Sequence, residues 1–353
     1  MKVWLSLIIG MCCSAAVWAQ ELGEARVPVE DRSTEVRAEA LSAGLDQVLV
    51  RLTGSRDLAS LAMLDGVRSQ PSRWTQRYSY EQQDEQLLLL ARFDSRALLA
   101  ALEKAGAPVW GTTRPQTLTW LVIQRPGMGE LVGASSTDPV AESLRQAAVA
   151  RGLPLRLPEM DDTDNGLISV ADIRGHFDQV LFRASERYDT SLRLAAVLYT
   201  GTEPQVRWRL YRDRELLEQG EYAAVDEADA MVRLVDQVTD RLSALYVVRG
   251  GTAETLALEV RQVARLEDWS GLQRYLQSLS GVTEVRLEQL AGDQLRFLVG
   301  FSGSVEQLRR LLALNRHLQP CEVPLAASVT INTANTAALD VPVPALPAYC
   351  WRS

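Results

Sequence analysis

A run of polar side chains between residues 161 and 172 has the spacing of a twelve-residue calcium loop. In such a loop, oxygen ligands stand at alternating positions, glycine makes the turn at position six and a carboxylate closes the site at position twelve. Gly166 stands at the sixth position here, and the candidate ligands are Asp161, Thr163, Asn165 and Asp172. The alternative is a polar strand-to-helix loop in which Ser169 and Asp172 form a capping box. Calcium is the one cofactor for which the sequence offers candidate ligands.

Residues for nucleophilic or zinc-dependent catalysis are scarce. His176 and His317 are the two histidines of the chain, which excludes a three-histidine zinc site. Lys104 has no serine three residues before it, and no GxSxG sequence occurs, so two common acyl-enzyme motifs are absent. Pairs of carboxylates leave no signature in a sequence and can cleave glycans. The sequence predicts no catalytic residue, and a carboxylate-dependent hydrolase of the cell envelope stays open as an alternative.

Residues 1–19 have the pattern of an export signal. Lys2 is the single charge before an apolar run from Val3 to Val17, and Ala19 ends a small-residue cleavage site. The run is too short for a transmembrane helix, and no later stretch is long and apolar enough to span a bilayer. We expect a soluble periplasmic protein that begins at Gln20 and has no membrane span.

The charge of the chain bears on its partners. The formal net charge is -8 at pH 7, and an acidic protein gains little from phosphate backbones or anionic lipid. We therefore expect no nucleic acid partner.

The cysteines divide into two pairs. Cys12 and Cys13 lie within the predicted signal peptide, whereas Cys321 and Cys350 belong to the mature chain. Because the periplasm is oxidising, we expect a disulfide between Cys321 and Cys350.

Residues 115–248 predict a central mixed α/β domain with the order βαβαβββα. Asp138 and Pro139 open its first helix, and Gly152 ends that helix. The other predicted elements are strands Leu118–Gln124, Leu153–Leu157, Leu192–Tyr199, Val206–Tyr211 and Leu216–Tyr222, a helix from Ser169 to Tyr188, and a long helix from Asp226. Strands and helices alternate in the first half of this order, and three strands follow one another in the second half. Such an order indicates a mixed sheet between helices.

Two smaller units flank this domain. Residues 20–114 predict a βαββα unit, in which Ser33 caps the helix and the strands Trp74–Glu81 and Gln86–Phe93 form a hairpin. Residues 249–319 predict a ferredoxin-like βαββα unit, with a second hairpin across Ala291-Gly-Asp293. Residues 320–353 form a tail rich in proline and alanine that we expect to be extended or disordered. The fold class is therefore mixed α/β (α+β), in three small units.

Three short sequences resemble a known family. They are Leu49-Val-Arg-Leu-Thr-Gly54, Val109-Trp-Gly-Thr-Thr-Arg-Pro115 followed by Trp120, and Ala184-Ser-Glu-Arg-Tyr188. Together they resemble the exported proteobacterial family of domain of unknown function 2066, over about Gly23 to Val248. That resemblance implies an exported protein and implies no activity. The order of elements in the central domain is also similar to periplasmic domains of Tol, curli and flagellar assembly factors, an analogy of fold alone.

The sequence therefore favours a non-enzymatic assembly, scaffold or binding factor of the cell envelope. We expect its partner to be another envelope protein, since small sheets with open edges bind by adding a strand, and we expect the central domain to be the main contact. The alternatives are the carboxylate-dependent hydrolase and a calcium-dependent binding module.

Overall fold

The computed structural model describes residues 22–249, 251, 253–314, 317–321 and 346–352. The predicted mixed α/β class is confirmed, because helices alternate with several sheets, some of them mixed, along the chain. The predicted signal peptide lies outside the described residues, as do residues 322–345 of the predicted tail.

The first sheet has three antiparallel strands. They are β1 (Glu24–Val29), β2 (Thr75–Gln83) and β3 (Gln86–Phe93), in the order β1-β3-β2. Helix α1 (Thr34–Thr53) packs on one face; Ser33 caps its start and Gly54 ends it in the left-handed conformation. The unit also contains α2 (Asp65–Arg68), α3 (Pro71–Trp74), α4 (Ser95–Lys104) and the two-residue strand β4 (Pro108–Val109).

The central sheet has six strands around a parallel pair, β5 (Thr117–Arg125) and β8 (Leu192–Tyr199). The others are β6 (Met128–Leu131), β7 (Leu155–Arg156), β9 (Gln205–Arg212) and β10 (Glu215–Ala223). The order is β10-β9-β8-β5-β6, with β7 paired to the start of β5.

Helices cover both faces of the central sheet. One face packs against α5 (Pro139–Arg151) and α9 (Glu227–Tyr246). The other face packs against α7 (Val170–Arg174) and α8 (Asp178–Ser185), which follow the short helix α6 (Asp162–Leu167). Strand β11 (Val248–Arg249) then pairs with β4. The alternation of apolar and polar residues in β9 fits this layering, because Val206, Trp208 and Leu210 are buried in the core beneath α9.

The third sheet has five strands. Its main elements are β12 (Glu254–Arg261), α10 (Leu266–Ser278), β13 (Val282–Ala291), β14 (Gln294–Phe301) and α11 (Val305–Leu312). Two short strands complete it, β15 (Leu318–Pro320) and β16 (Tyr349–Trp351), in the order β13-β14-β12-β16-β15. Strand β16 runs parallel to β12 and lies between β12 and β15. The predicted βαββα order is present, and β16, from the segment predicted as a tail, belongs to the sheet.

Three local predictions were wrong. The helix predicted from Ser169 to Tyr188 is two helices, because Gly175 ends α7 and His176 takes the left-handed conformation at φ 58° before α8 begins. Residues 162–167, predicted as loop, form α6 with Asp161 as its N-cap. The sequence also predicts Asp268 as the cap of a helix, but that helix is capped from Arg265, and Asp268 is the N3 residue of the capping box.

The central and third sheets share one hydrophobic core. Buried residues of α9 and of the third sheet belong to a single cluster. Side chains also join the two parts, since Gln307 donates to the Val247 carbonyl and Arg310 to the Leu245 carbonyl, both at 3.2 Å. The third sheet is therefore packed directly on the central domain.

Candidate protein-binding surface

The predicted calcium ligand Asp161 is held by an arginine. Its carboxylate caps α6 by accepting from the backbone N–H groups of Thr163 and Asp164, and it forms a two-pronged pair with Arg187 at 2.6 and 2.8 Å. The hydrogen bond from Arg187 keeps the pKa of Asp161 well below its usual range. A guanidinium so close to the carboxylate opposes a calcium ion there.

The other candidate calcium ligands also have protein partners or lie in a helix. Thr163 is within α6, Asn165 donates to the Met160 carbonyl, and Asp172 accepts from the Ser169 N–H at 2.8 Å in the predicted capping box. In the part of the chain that the structure describes, no group of three or more His, Cys, Asp or Glu side chains is arranged to hold a metal. The geometry favours the capping alternative, because α6 replaces the open loop that calcium needs.

The two cysteines that follow the predicted signal peptide are bonded to each other. A disulfide joins Cys321, next to β15, to Cys350 in β16. It therefore fixes the strand that lies between β12 and β15.

Replacing Cys350 with serine is expected to lower the free energy of unfolding by about 3–4 kcal/mol in the chain-entropy model, for a bridge that spans 29 residues. Urea unfolding monitored by circular dichroism measures this loss. The Cys321→Ser/Cys350→Ser double variant is the control and should lose no more than the single one. Two free thiols titrating in oxidised, denatured protein would contradict the pairing.

The first two of the three short sequences that resemble a family meet around one buried arginine, Arg114. Its guanidinium donates to the carbonyl oxygens of Gly111 at 2.8 Å, Gly152 at 2.6 Å, and Arg51 and Trp110 at 2.7 Å each. The guanidinium also lies 4.2 Å from the centre of the Trp110 ring. Arg51 is in the last turn of α1 and Gly152 is the C-cap of α5. One cation therefore satisfies carbonyls at two helix ends, where positive charge is favourable.

A second buried arginine binds the same region to α9. Arg151, with 4% of its side chain exposed, pairs with Asp236 at 3.0 Å and with Asp240 at 2.5 Å. It also donates to the Gly54 carbonyl at 3.1 Å, at the end of α1. Arg56 pairs with the other oxygen of Asp236. Burial lowers the pKa of Arg151, and the neighbouring Asp240 opposes that shift.

The third motif is also used for packing. Ser185 accepts a hydrogen bond from the Trp120 indole at 3.0 Å, while the Tyr188 hydroxyl donates to the buried carboxylate of Asp164. Burial raises the pKa of Tyr188 to about 12. These contacts are structural, so the motifs explain the fold and identify no reaction.

The edges of the first sheet differ in protection. Arg51 donates to the Glu24 carbonyl and Gln47 donates to the Arg26 carbonyl at 3.4 Å, while Pro28 has no N–H. The outer edge of β1 therefore offers few free groups to another strand. Strand β2 contains no proline, and among the described residues no backbone hydrogen bond joins it to a group outside β3.

The register shows which backbone groups of β2 face outward. The Phe93 N–H donates to Gly23 before β1, whereas the Asp94 N–H donates to Trp74 before β2. Residues of β3 thus alternate between their two neighbours, as antiparallel pairing requires. Ser79 pairs with Leu90 on the β2 side. The N–H and C=O groups that face the open edge are therefore those of Tyr78, Tyr80 and Gln82.

Strand β2 has the longest uninterrupted pairing register of the long open edges. Its pairing with β3 is continuous from Arg77 to Gln83 after one irregularity near Thr75. Edge strand β13 has two irregularities, and edge strand β10 has one between Leu216 and Glu218. Such bulges commonly block pairing with other chains. Strand β2 is thus the edge best suited to accept a strand.

Aromatic and basic side chains flank this edge. Tyr78 and Tyr80 lie edge to face with their ring centres 6.2 Å apart. The guanidinium of Arg37 lies 5.6 Å from the Tyr78 ring centre, and that of Arg32 lies 5.2 Å from the Tyr80 ring centre. Tyr78 is 47% exposed. Tyrosine and arginine are enriched at the centres of protein interfaces.

The sequence alone revealed neither the open edge of β2 nor the contacts around Arg114 and Arg151. The hairpin was predicted, but which of its strands is the edge depends on whether β1 pairs with β2 or β3. The run Arg77-Tyr78-Ser79-Tyr80, two tyrosines on a strand without a proline, was the signal available. We name Arg32, Arg37, Tyr78 and Tyr80, with the outward backbone of β2, the β2 surface.

The comparisons with known proteins concern this part of the chain. A family model described as Domain of unknown function (DUF8605) matches residues 16–111, less than a third of the 353 residues. The match fits an uncharacterised family, and the model is not that of domain of unknown function 2066. No curated protein matches the chain. Within the described ranges, no helix is both long enough and apolar enough to cross a membrane. The segment that contains the β2 surface is thus similar to a domain whose function is unknown.

Proposed function

We propose that the mature protein is a non-enzymatic assembly, scaffold or binding factor of the periplasm that holds another envelope protein. In this proposal, the signal-like residues 1–19 direct export, and the partner adds an extended segment to β2. The sequence analysis favoured the central domain as the main contact. Helices cover both faces of the central sheet, whereas β2 of the first sheet has the longest uninterrupted register of the long open edges, so we place the contact on β2.

The observation that carries the proposal is the open backbone of β2. Seven consecutive residues, Arg77 to Gln83, stay in register with β3, and three of them present free N–H and C=O groups to solvent. Strand addition uses such groups for affinity and the flanking side chains for specificity. The resemblance of the packing motifs to the family of domain of unknown function 2066 supports the exported compartment, because that family is exported.

Blocking the open edge of β2 is expected to weaken capture of the partner. Gln82→Pro removes one outward N–H while leaving the β2–β3 pairs of Ser79 and Glu81 in place. A lost backbone hydrogen bond of about 1–1.5 kcal/mol corresponds to a roughly five- to ten-fold fall in affinity. The measurement is photo-cross-linking in living cells from a reactive amino acid at Gln76, an exposed position of β2, with identification of the adduct.

Gln82→Ala is the matched control and should retain the adduct. Circular dichroism should show that both variants are folded. An adduct equally strong in Gln82→Pro, or none in the parent protein, would refute strand addition at β2. Hydrolysis of cell-wall glycan or peptide by the pure protein, lost on replacing one Asp or Glu, would support the hydrolase alternative instead.

A further inference from the structure

We infer that the segment added to β2 is acidic. This inference rests on the proposed function and specifies the chemistry of the partner. It follows from three arginines around the edge, Arg32, Arg37 and Arg77. In the described part of the chain, none of the three has a carboxylate within ion-pair distance.

Two of these arginines lie on the helix side of the edge. Tyr78 and Tyr80 pair with Ala91 and Leu89 of β3, which face α1. Arg37 and Arg32 lie over the two tyrosine rings. A strand added to β2 places every second side chain about 5 Å from these tyrosines. A glutamate there reaches a guanidinium, and its methylene groups pack on the ring beside it.

The third arginine lies on the opposite face of the sheet from α1. Arg77 pairs with Arg92 across β3, and both line a shallow cavity of about 430 Å³. Arg92 is already paired with Glu24 at 3.0 Å, which leaves Arg77, on β2 itself, to bind a carboxylate of the added strand.

Within β2 and its hairpin turn, the acidic residues lie toward the turn. Glu81 is in the second half of β2, and Asp84 and Glu85 form the turn. The strand itself is therefore basic near Arg77 and acidic near the turn. Acidic side chains of the partner would lie against the Arg77 end, and this gradient would set the register of the added strand.

The test uses synthetic ten-residue peptides and the full mature protein. Fluorescence anisotropy compares alternating Val-Glu, Val-Gln and Val-Lys peptides, in which all polar side chains lie on one face of a strand. We expect the Val-Glu peptide to bind at least ten-fold more tightly than the Val-Gln peptide, with an advantage that shrinks as salt is raised from about 0.05 to 0.5 M. The Val-Lys peptide should bind most weakly.

Two variants identify the face that is used. If the acidic side chains lie on the helix side, Arg32→Gln/Arg37→Gln should lower the affinity for the Val-Glu peptide by about ten-fold, as two exposed ion pairs allow; if they lie on the opposite side, Arg77→Gln should lower it by about three-fold, as one pair allows. Arg214→Gln, at an exposed arginine in the turn between β9 and β10, is the control and should change nothing. No loss in either variant, equal binding of the Val-Glu and Val-Gln peptides, or no binding of the Val-Glu peptide would overturn the inference. If the cross-linked adduct in cells is lost in Gln82→Pro but the Val-Glu and Val-Gln peptides bind equally, then strand addition at β2 is supported and the inference that the added segment is acidic is wrong.

Discussion

Arg114→Met is expected to remove about 4 kcal/mol or more from the free energy of unfolding. The methionine fills much of the volume but donates nothing, so the carbonyls of Gly111, Gly152, Arg51 and Trp110 lose their donor in a buried place. An unsatisfied buried acceptor costs about 1–3 kcal/mol. Water reaching the site would recover part of that cost, so we expect less than the sum of four.

Chemical unfolding of the purified mature protein measures this effect. Arg114→Lys is the informative companion, because lysine keeps the charge but offers a compact ammonium in place of the planar fork. It should lose about 2–3 kcal/mol, since one ammonium cannot reach all four oxygens. Arg214→Met, at an exposed turn position, should change stability by less than about 0.5 kcal/mol. Equal stability of Arg114→Met and the parent protein would show that the four contacts contribute nothing.

Asp236→Ala is expected to lower the free energy of unfolding by about 3 kcal/mol, the low end of the cost of breaking a buried ion pair, because Arg151 keeps Asp240 as a second partner. The carboxylate binds Arg151 with one oxygen and Arg56 with the other, and its side chain is 12% exposed. Asp240 binds the same Arg151, but its side chain is 65% exposed. Asp240→Ala should therefore cost less than about 1 kcal/mol.

These two variants compare the loss of a buried carboxylate with the loss of an exposed one, because both aspartates are on α9 and both contact Arg151. Denaturant unfolding of the two variants provides the measurement. Arg151→Met combined with Asp236→Ala should cost less than the sum of the single changes, since residues of one network are not additive. Equal losses at Asp236 and Asp240 would mean that burial does not decide the strength of this pair.

Local signals predicted much of the fold. Asp138 and Pro139 begin α5, Gly152 ends it and Ser33 caps α1, because helix ends need side-chain or left-handed backbone groups that few residue types supply. The strand predicted as Leu192–Tyr199 is β8 with the same bounds. These elements depend on neighbours close in the sequence, so one sequence was sufficient to predict them.

The errors occurred where distant contacts decide the conformation. The segment 162–167 is helical because the Asp161 cap is fixed by Arg187, more than twenty residues later. Strand β16 needs β12 and β15 as neighbours, and neither lies near it in the sequence. Nothing in the sequence distinguishes Arg114 from an exposed arginine, because its burial depends on the contact between the ends of α1 and α5. The β2 surface depended likewise on strand order, which periodicity does not reveal.

The contacts of Arg114 have a consequence for how the protein unfolds. Separating α1 from α5 would break the hydrogen bonds from one buried guanidinium to both helix ends at once. Because hydrogen bonds to a charged group are among the stronger ones and these are lost together, partial opening between the first sheet and the central domain has a cost, although interfaces between domains commonly open with little. The two parts should behave as one cooperative unit, with their slowest-exchanging amides released together in the same global event.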